Sequence, residues 1–235
     1  PPDRDAVNRD TTLPFTSVLA SSIHDMKNSL GMLITSIDEV AGRAEGRDPE
    51  VADEMYRLQR EAKRVNNNLV QLLTHYRMGQ GEYVPQMLEH SVAEFLEEAV
   101  AEFEALFAHR GIQVSVDCPE DLTWVFDEGL LMGVMRNVLN NLVKYTRDRV
   151  LLRAFSDAGW LAVDVEDNGP GFPEAILALP GQMTREVDIR GSSTGLGLYF
   201  SAEAARCHHH QGRRGHIELA NHGVLGGGSF RVRLP

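Results

Sequence analysis

The chain has 235 residues, with 34 acidic and 23 basic side chains, and 43% of its residues are hydrophobic. That length allows one large domain or two smaller ones, and the composition is typical of a globular protein. The two cysteines lie far apart without metal-ligand spacing, which excludes a disulfide scaffold and favours a reducing compartment. No apolar run approaches the roughly 18 residues of a membrane span. The chain begins at Pro1 without a methionine, so we expect a piece of a longer protein.

The net charge of −11 lies entirely within residues 82–128, which hold 12 acidic side chains and one basic side chain, Arg110. The remaining residues sum to zero. No basic patch is evident, which argues against nucleic-acid binding. We interpret the acidic segment as a solvated face.

Apolar residues at steps of three and four predict two long helices. The first pattern runs from Phe15 to about Ala44, and the second runs from Val51 to Tyr76. A polar, glycine-containing turn lies between them, so the two helices form an antiparallel hairpin. Each apolar stripe is too wide for one partner helix to cover, which predicts a dimeric four-helix bundle.

After Gly81 the pattern changes to a mixture of helices and strands. Helices are predicted over residues 92–108, 129–146 and 195–208. Strands are predicted over residues 112–116, 122–126, 150–155, 160–165, 216–220 and 229–234. This order predicts a mixed sheet covered by helices on one face, an α/β sandwich. The expected domains are residues 1–81 and 82–235.

His24 and Asp25 lie in the middle of the first predicted helix, and Asn28 lies one turn beyond His24 on the same face. An imidazole whose second nitrogen is held by a carboxylate is a usable nucleophile. A surface His-Asp pair on a charged helix explains these residues alone equally well.

Asn137, Asn141, Lys144 and Tyr145 share one face of the helix predicted over residues 129–146. Amide oxygens can ligate Mg²⁺, an ammonium group can meet phosphate, and an aromatic ring can cover a base. Asparagine is unfavourable inside a helix, so we prefer a ligand-binding face to a polar solvent face.

Two glycine-containing segments complete the candidate site. Asp167 follows a predicted strand and precedes Gly169 and Gly171, which let the backbone turn sharply and approach a flat ligand. Its carboxylate could accept a hydrogen bond from an exocyclic amine such as that of adenine. The second loop opens the last predicted helix, where free backbone amides suit phosphate. Its candidate residues are Thr194, Gly195, Leu196, Gly197 and Leu198.

The order of these four segments resembles the H, N, G1 and G2 boxes of sensor histidine kinases, over about residues 14–235. The resemblance implies a dimerisation and histidine-phosphotransfer hairpin, followed by an ATP-binding domain of the Bergerat fold. His24 matches the phospho-accepting histidine, with Asp25 as its acidic neighbour. Asn28 matches the position that orients water when the family dephosphorylates its partner.

The same resemblance assigns roles to the second domain. Asn141 matches the asparagine that ligates Mg²⁺, with Asn137 and Lys144 beside it. Asp167 matches the aspartate that reads adenine. The glycines of the two loops match those around the nucleotide.

The resemblance therefore implies a homodimeric protein-histidine kinase core that uses ATP and Mg²⁺. It implies transfer of the phosphoryl group to an aspartate of a response-regulator receiver domain, and phosphatase activity as an additional role. The expected location is the cytoplasm, either alone or as the cytoplasmic part of a longer, membrane-tethered sensor. Neither nucleic acid nor membrane contact is expected for this fragment.

Three departures from the family pattern leave an alternative open. Ser29 stands where proline is common, Leu142 stands where alanine is usual, and no clear phenylalanine box lies between Gly171 and Gly191. They motivate a degenerate kinase that acts mainly as a nucleotide-binding phosphatase or docking scaffold. A Bergerat-fold ATPase of the chaperone or mismatch-repair kind would lack the hairpin with His24 and Asp25.

Cys207, the run His208–His210 and His216 raise the question of a metal site. Consecutive histidines on a helix point in different directions, and the ligand spacing of zinc sites is absent. We therefore expect the histidine run to be a solvated helix end.

Overall fold

The computed structural model of the chain describes the backbone of residues 15–44, 46–178 and 193–235, and their side chains except at 15–21, 23–24, 75, 79 and 193–196. The chain divides into two compact units, Pro1–Leu73 and Thr74–Pro235. Within the described ranges, no helix combines the length and apolar character needed to cross a membrane.

Two long helices build the first unit. α1 spans Phe15–Ala44, and α2 spans Pro49–Gly79 and continues into the second unit. The turn between them closes where the N–H groups of Arg47 and Asp48 donate to the Ala44 carbonyl. Asp48 then begins α2, because its Oδ1 accepts the Val51 N–H at 3.3 Å.

The helices contact each other through a polar pair and small side chains. The Gln59 amide of α2 donates to the Asp38 carboxylate of α1, although Gln59 is buried. Alanines let the two backbones approach, and four of them are buried: Ala41, Ala44, Ala52 and Ala62. The predicted helical hairpin is confirmed.

The second unit combines helices with strands. Its further helices are α3 (Val92–Ala101), α4 (Glu104–His109), α5 (Glu128–Tyr145), α6 (Glu174–Leu177) and α7 (Ser193–Cys207). Its strands are β1 (Leu88–Ser91), β2 (Gln113–Asp117), β3 (Thr123–Phe126), β4 (Arg149–Asp157), β5 (Trp160–Asp167), β6 (His209–His210), β7 (Arg213–Arg214), β8 (His216–Asn221) and β9 (Gly228–Leu234). The main sheet has the order β2-β4-β5-β9-β8, and its β2–β4 pair is parallel. β1 pairs with β3, and β6 pairs with β7.

One predicted helix is wrong in its extent. Residues 92–108 form two helices, α3 and α4, because the chain turns at Glu102 and Phe103. The turn buries Phe103 beside Phe107, with their ring centroids 6.1 Å apart. Because both helices keep an apolar face toward the same core, the spacing of apolar residues alone conceals the break.

Helices α3, α5 and α7 pack with one face of the main sheet in a single core. The buried side chains of α5 are Leu130, Leu131, Met132, Val134, Met135, Val138, Leu139, Leu142 and Val143. The strands contribute alternate residues to this core, such as Leu161, Val163 and Val165 of β5. The predicted α/β sandwich with helices on one face is confirmed.

The opposite face of the sheet carries one charged residue from each strand at directly paired positions. We call Asp117, Arg153, Asp164, Arg231 and Glu218 the charge row. Arg231 donates to both oxygens of Asp164, at 2.5 and 2.7 Å, and Asp164 is only 1% exposed. Arg153 lies 3.4 Å from Asp117, and Arg231 lies 3.7 Å from Glu218. Opposite charges at paired positions stabilise this order of strands.

His208 is buried, so the expectation of a solvated helix end is wrong at this residue. Its Nε2 accepts the Asp127 N–H at 3.0 Å, and its Nδ1 donates to the Ala204 carbonyl at 2.8 Å. Burial lowers the pKa of His208, which favours the neutral ring that this pairing needs. His209 and His210 form β6 of an exposed hairpin. Within the described ranges, no group of three or more His, Cys, Asp or Glu side chains could hold a metal ion.

We expect the free energy of unfolding to fall more steeply between about pH 7.5 and 5.5 in the parent chain than in the His208→Gln variant. The pKa of His208 is lower in the folded chain than the unfolded value of about 6.5, so the unfolded chain takes up the proton first. The free energy of unfolding therefore decreases as the pH falls through about 6.5. Urea unfolding at the two pH values measures the difference.

The control for this prediction is His109→Gln, which changes an exposed histidine of α4. It makes the same change away from the contact with Asp127, so it shows how much of the difference is specific to His208. An identical pH dependence in the parent and the His208→Gln variant would show that His208 makes no such contribution.

Candidate functional site

A cavity of about 510 Å³ lies between α5, α7 and the loop that follows β5. Its apolar wall includes Val138, Leu142, Val165, Phe172, Ile176, Leu198 and Phe230. Its polar side chains include Asn137, Asn141, Asp167 and Ser201. Apolar walls with a few polar groups are typical of a site for a small organic molecule.

Asp167 ends β5 and lies at one side of the cavity. Its Oδ1 accepts the Gly169 N–H at 2.5 Å, and its backbone carbonyl accepts the Gly227 N–H at 3.0 Å. Burial raises the pKa of the Asp167 carboxyl, and backbone hydrogen bonds from Gly169 and Gly228 oppose that shift. The fold thus places a partly buried carboxylate at the end of an apolar pocket.

Three glycines surround Asp167 so closely that no side chain would fit. A Cβ on Gly169 would lie 2.4 Å from the Tyr145 carbonyl oxygen. A Cβ on Gly227 would lie 2.6 Å from the Asp167 carbonyl oxygen, and one on Gly228 would lie 2.9 Å from Asp167 Oδ2. Sequence reasoning identified Gly169 and missed the other two. The run Gly226–Gly228 directly before a predicted strand was the available signal.

Two asparagines fix the loop after β5, and sequence reasoning missed both. Asn168 accepts the N–H groups of Asp148 and Arg149 at 3.1 Å each. Asn221 of β8 accepts the Phe172 N–H at 2.7 Å and donates to the Phe172 carbonyl at 2.9 Å. The loop is therefore held at both ends by amide side chains.

Gly171 shows why glycine is needed in this loop. Its φ is +79°, a conformation that other residues rarely adopt. A Cβ at this position would also lie 2.5 Å from Asn221 Oδ1. The glycine thus permits both the turn and the contact with Asn221.

Asn137 and Asn141 occupy successive turns of α5 and both line the cavity. Asn137 Nδ2 donates to the Gly197 carbonyl at 3.1 Å, and Ser201 Oγ donates to the same carbonyl at 2.9 Å. Asn137 therefore joins α5 to the start of α7. No residue within the described ranges hydrogen-bonds the side chain of Asn141.

Tyr145 also lines the cavity, and 46% of its surface is exposed. Lys144 is exposed, and its Nζ lies 4.8 Å from the centre of the Tyr145 ring. The structure does not place Lys144 among the residues that line the cavity. Three of the four residues predicted on this helix face are thus brought together.

The second predicted loop leads into α7. Gly197 and Leu198 line the cavity. Thr194, Gly195 and Leu196 belong to α7, but their side chains lie outside the described residues. The segment 179–192, which contains most of the region without a phenylalanine box, also lies outside them.

The remaining candidate residues belong to α1 in the first unit. Asp25 and Asn28 are exposed, one turn apart along the helix. The helix continues through Ser29, where the family commonly has proline, and Ser29 Oγ donates to the Asp25 carbonyl at 3.0 Å. His24 is helical, and its side chain lies outside the described residues.

Comparison with known proteins finds a family model that matches part of the second unit. Residues 126–235 match the model for histidine kinase-, DNA gyrase B-, and HSP90-like ATPases. The virulence sensor histidine kinase PhoQ of Salmonella typhimurium is 27% identical over 143 residues, covering 61% of this chain and 28% of that protein. A probable sensor histidine kinase HK of Mycobacterium tuberculosis is 29% identical over 195 residues, covering 80% of this chain and 49% of that protein.

A solved structure, full-length ShkA in complex with AMPPNP, superposes with a TM-score of 0.63 at 20% identity. The match covers 94% of this chain and 46% of that one, and it shows a shared fold. The chain spans less than half the length of the two curated relatives named above. The chain is therefore similar to the sensor histidine kinases, and its residues 126–235 match the model for histidine kinase-, DNA gyrase B- and HSP90-like ATPases.

Proposed function

We propose that this chain is the core of a protein-histidine kinase that takes a phosphoryl group from ATP. The observation that carries the proposal is a cavity lined by Asp167, which is surrounded by glycines, and by Asn141, within a region that matches this ATPase family. An acceptor carboxylate, apolar walls and an amide oxygen are the groups that a purine nucleotide with its metal ion requires.

In this proposal the adenine base enters the apolar part of the cavity, between Val138, Leu142 and Phe230. The Asp167 carboxylate accepts a hydrogen bond from the exocyclic amine of the base. Such a contact selects adenine over guanine, because guanine has a carbonyl oxygen where adenine has the amine. The backbone amides at the start of α7 suit the phosphates.

Asn141 is the residue that would hold Mg²⁺. It lines the cavity, and no described residue occupies its amide. Mg²⁺ commonly takes one or two protein ligands and completes its coordination with water and substrate phosphates, so a single amide oxygen fits. When bound, the ion would neutralise charge on the phosphates.

We propose His24 as the phospho-acceptor. One imidazole nitrogen attacks the γ-phosphorus, the bond from that phosphorus to the bridging oxygen breaks, and ADP leaves. Asp25 would orient the ring by accepting a hydrogen bond from its other nitrogen. The phosphoryl group then passes to an aspartate of a receiver domain.

Seven exposed apolar side chains support the proposal of a homodimer. They are Met26, Leu33, Val40, Val51, Leu58, Val65 and Leu72, and each is between 37% and 50% exposed. They recur every seven residues along α1 and along α2, which is the spacing of helices that pack against a partner. A second copy of the hairpin would cover both rows and complete a four-helix bundle.

We expect Asp167→Asn to weaken ADP binding by about 1–3 kcal/mol, because a partly buried, charge-assisted hydrogen bond is replaced by a weaker one. Isothermal titration calorimetry of the whole chain with Mg²⁺ measures the loss. Asp157→Asn, the same change at an exposed residue of β4, is the control and should bind as the parent does. Equal affinities for the parent and Asp167→Asn would mean that the base is recognised elsewhere.

We expect His24→Ala to abolish incorporation of label from γ-³²P-ATP while leaving ADP affinity within about twofold of the parent. The reason is that His24 belongs to the helical unit, whereas the cavity is built from the second unit. The acid lability of the label identifies a phosphoramidate. His109→Ala is the control and should still be labelled, and persistent acid-labile label in His24→Ala would refute the assignment.

We expect Asn28→Ala to lose dephosphorylation of a phosphorylated receiver while keeping most autophosphorylation. An amide can orient a water but is no strong base, so its contribution would come from positioning. Asp25→Ala should show the opposite bias. Both residues are exposed on α1, and alanine is the better helix former there, so the helix should persist.

Both activities are measured in parallel for the parent and the two variants, with circular dichroism as the test of helix content. Dephosphorylation at the parent rate by Asn28→Ala would show that this residue has no phosphatase role.

A further inference from the structure

Asp127 lies where three parts of the second unit meet. It is 3% exposed and is the N-cap of α5, since its Oδ1 accepts the Leu130 N–H at 2.8 Å. Its backbone N–H donates to His208, which directly follows α7. The carboxylate and the amide of one residue thus connect the start of α5 with the end of α7.

The second carboxylate oxygen of Asp127 binds the segment that follows α2. We call residues 82–87 the linker segment. Oδ2 of Asp127 accepts the Tyr83 hydroxyl at 3.0 Å and the Gln86 N–H at 2.7 Å. The linker segment therefore depends on the same carboxylate that begins α5. Burial and the charge of Asp127 raise the pKa of Tyr83, so its hydroxyl stays protonated and can donate.

The same two helices reach the nucleotide cavity at their other ends. Asn137 of α5 donates to the Gly197 carbonyl of α7, and both residues line the cavity. The α5–α7 pair is therefore joined at two levels, by Asp127 with His208 at the start of α5 and by Asn137 with Gly197 at the middle of α5. About 17 Å of helix separates Leu130 from Asn141, and the intervening residues of α5 pack in the core. A shift at one end of such a rigid element is transmitted to the other.

We propose that Asp127 is a positioning residue that couples the docking of the linker segment to nucleotide binding, through α5 and α7. The proposal rests on the proposed function, because the cavity must bind a nucleotide. When the linker segment undocks, the buried Asp127 carboxylate loses two hydrogen-bond donors. The position that α5 holds in the docked state is then less favourable. Because such coupling is reciprocal, nucleotide binding and docking of the linker segment must strengthen each other by the same factor.

The variant Asp127→Asn separates this coupling from helix capping. Asparagine is as good an N-cap as aspartate, so its amide oxygen can still accept the Leu130 N–H. Its NH₂ group would then face the Gln86 N–H, which can only donate, and the Tyr83 hydroxyl, which would have to turn round and accept. The helix start is retained, and the contact with the Gln86 backbone is lost. Tyr83→Phe removes one of those two contacts and keeps the ring.

The test is hydrogen exchange of the linker segment in the whole chain, with and without Mg²⁺–ADP, beside the ADP affinity from calorimetry. In the parent, ADP should slow exchange of the Gln86 amide several-fold. In Asp127→Asn, the Gln86 amide should exchange rapidly both with and without ADP. This variant should also bind ADP about two- to tenfold more weakly, the range expected for one hydrogen bond. Tyr83→Phe should shift both readouts in the same direction.

Two controls isolate the effect. Glu128→Gln changes the neighbouring exposed carboxylate, and Tyr76→Phe makes the matched aromatic change in α2. Both should behave as the parent. Unfolding curves for Asp127→Asn confirm that the helix cap is retained.

Two results would overturn the coupling while the proposed function stands. The first is that the parent binds ADP without any change in hydrogen exchange of the linker segment. The second is that Asp127→Asn binds ADP as tightly as the parent does. A parent chain that binds no nucleotide would instead refute the proposed function, and the coupling with it.

Discussion

The packing of α5 against the main sheet is the constraint on which the candidate site depends. Nine apolar side chains hold one side of the helix in the core, so its rotation is set by packing and not by its polar residues. The polar side then carries Asn137, Asn141 and Tyr145 to the cavity as a group. Because the cavity wall and the core share Val138 and Leu142, a substitution that repacks the helix would also reshape the pocket.

The other side of the site is made by backbone. Asp167 is enclosed by Gly169 of the loop after β5 and by Gly227 and Gly228, which lie just before and at the start of β9. Glycine is required there because the chains approach too closely for any Cβ. Asn168 and Asn221 then hold the loop after β5 with side-chain amides. The carboxylate is thus positioned by close approach of the backbone and by hydrogen bonds.

Local pattern was enough to predict the long elements and to place candidate residues on a helix face or at the end of a strand. The spacing of apolar residues identified α1, α2 and α5, and placed Asn137 and Asn141 on one face. It could not reveal partners that lie far apart in sequence, such as Asn221 with Phe172 or Tyr83 with Asp127. It also gave the wrong surroundings for His208, because a histidine run resembles a polar surface until its partner, 81 residues away, is known.

The charge row has a consequence for association between molecules. It ends with Asp117 on β2 and with Glu218 on β8, the two edge strands of the main sheet. Both side chains are substantially exposed, at 71% and 45%. If the sheets of two molecules met at either of these edges in register, the row would place carboxylate beside carboxylate. The charges that stabilise strand pairing within one molecule therefore oppose pairing with an edge strand of a second molecule. Such edge-to-edge pairing is the way that open sheets aggregate.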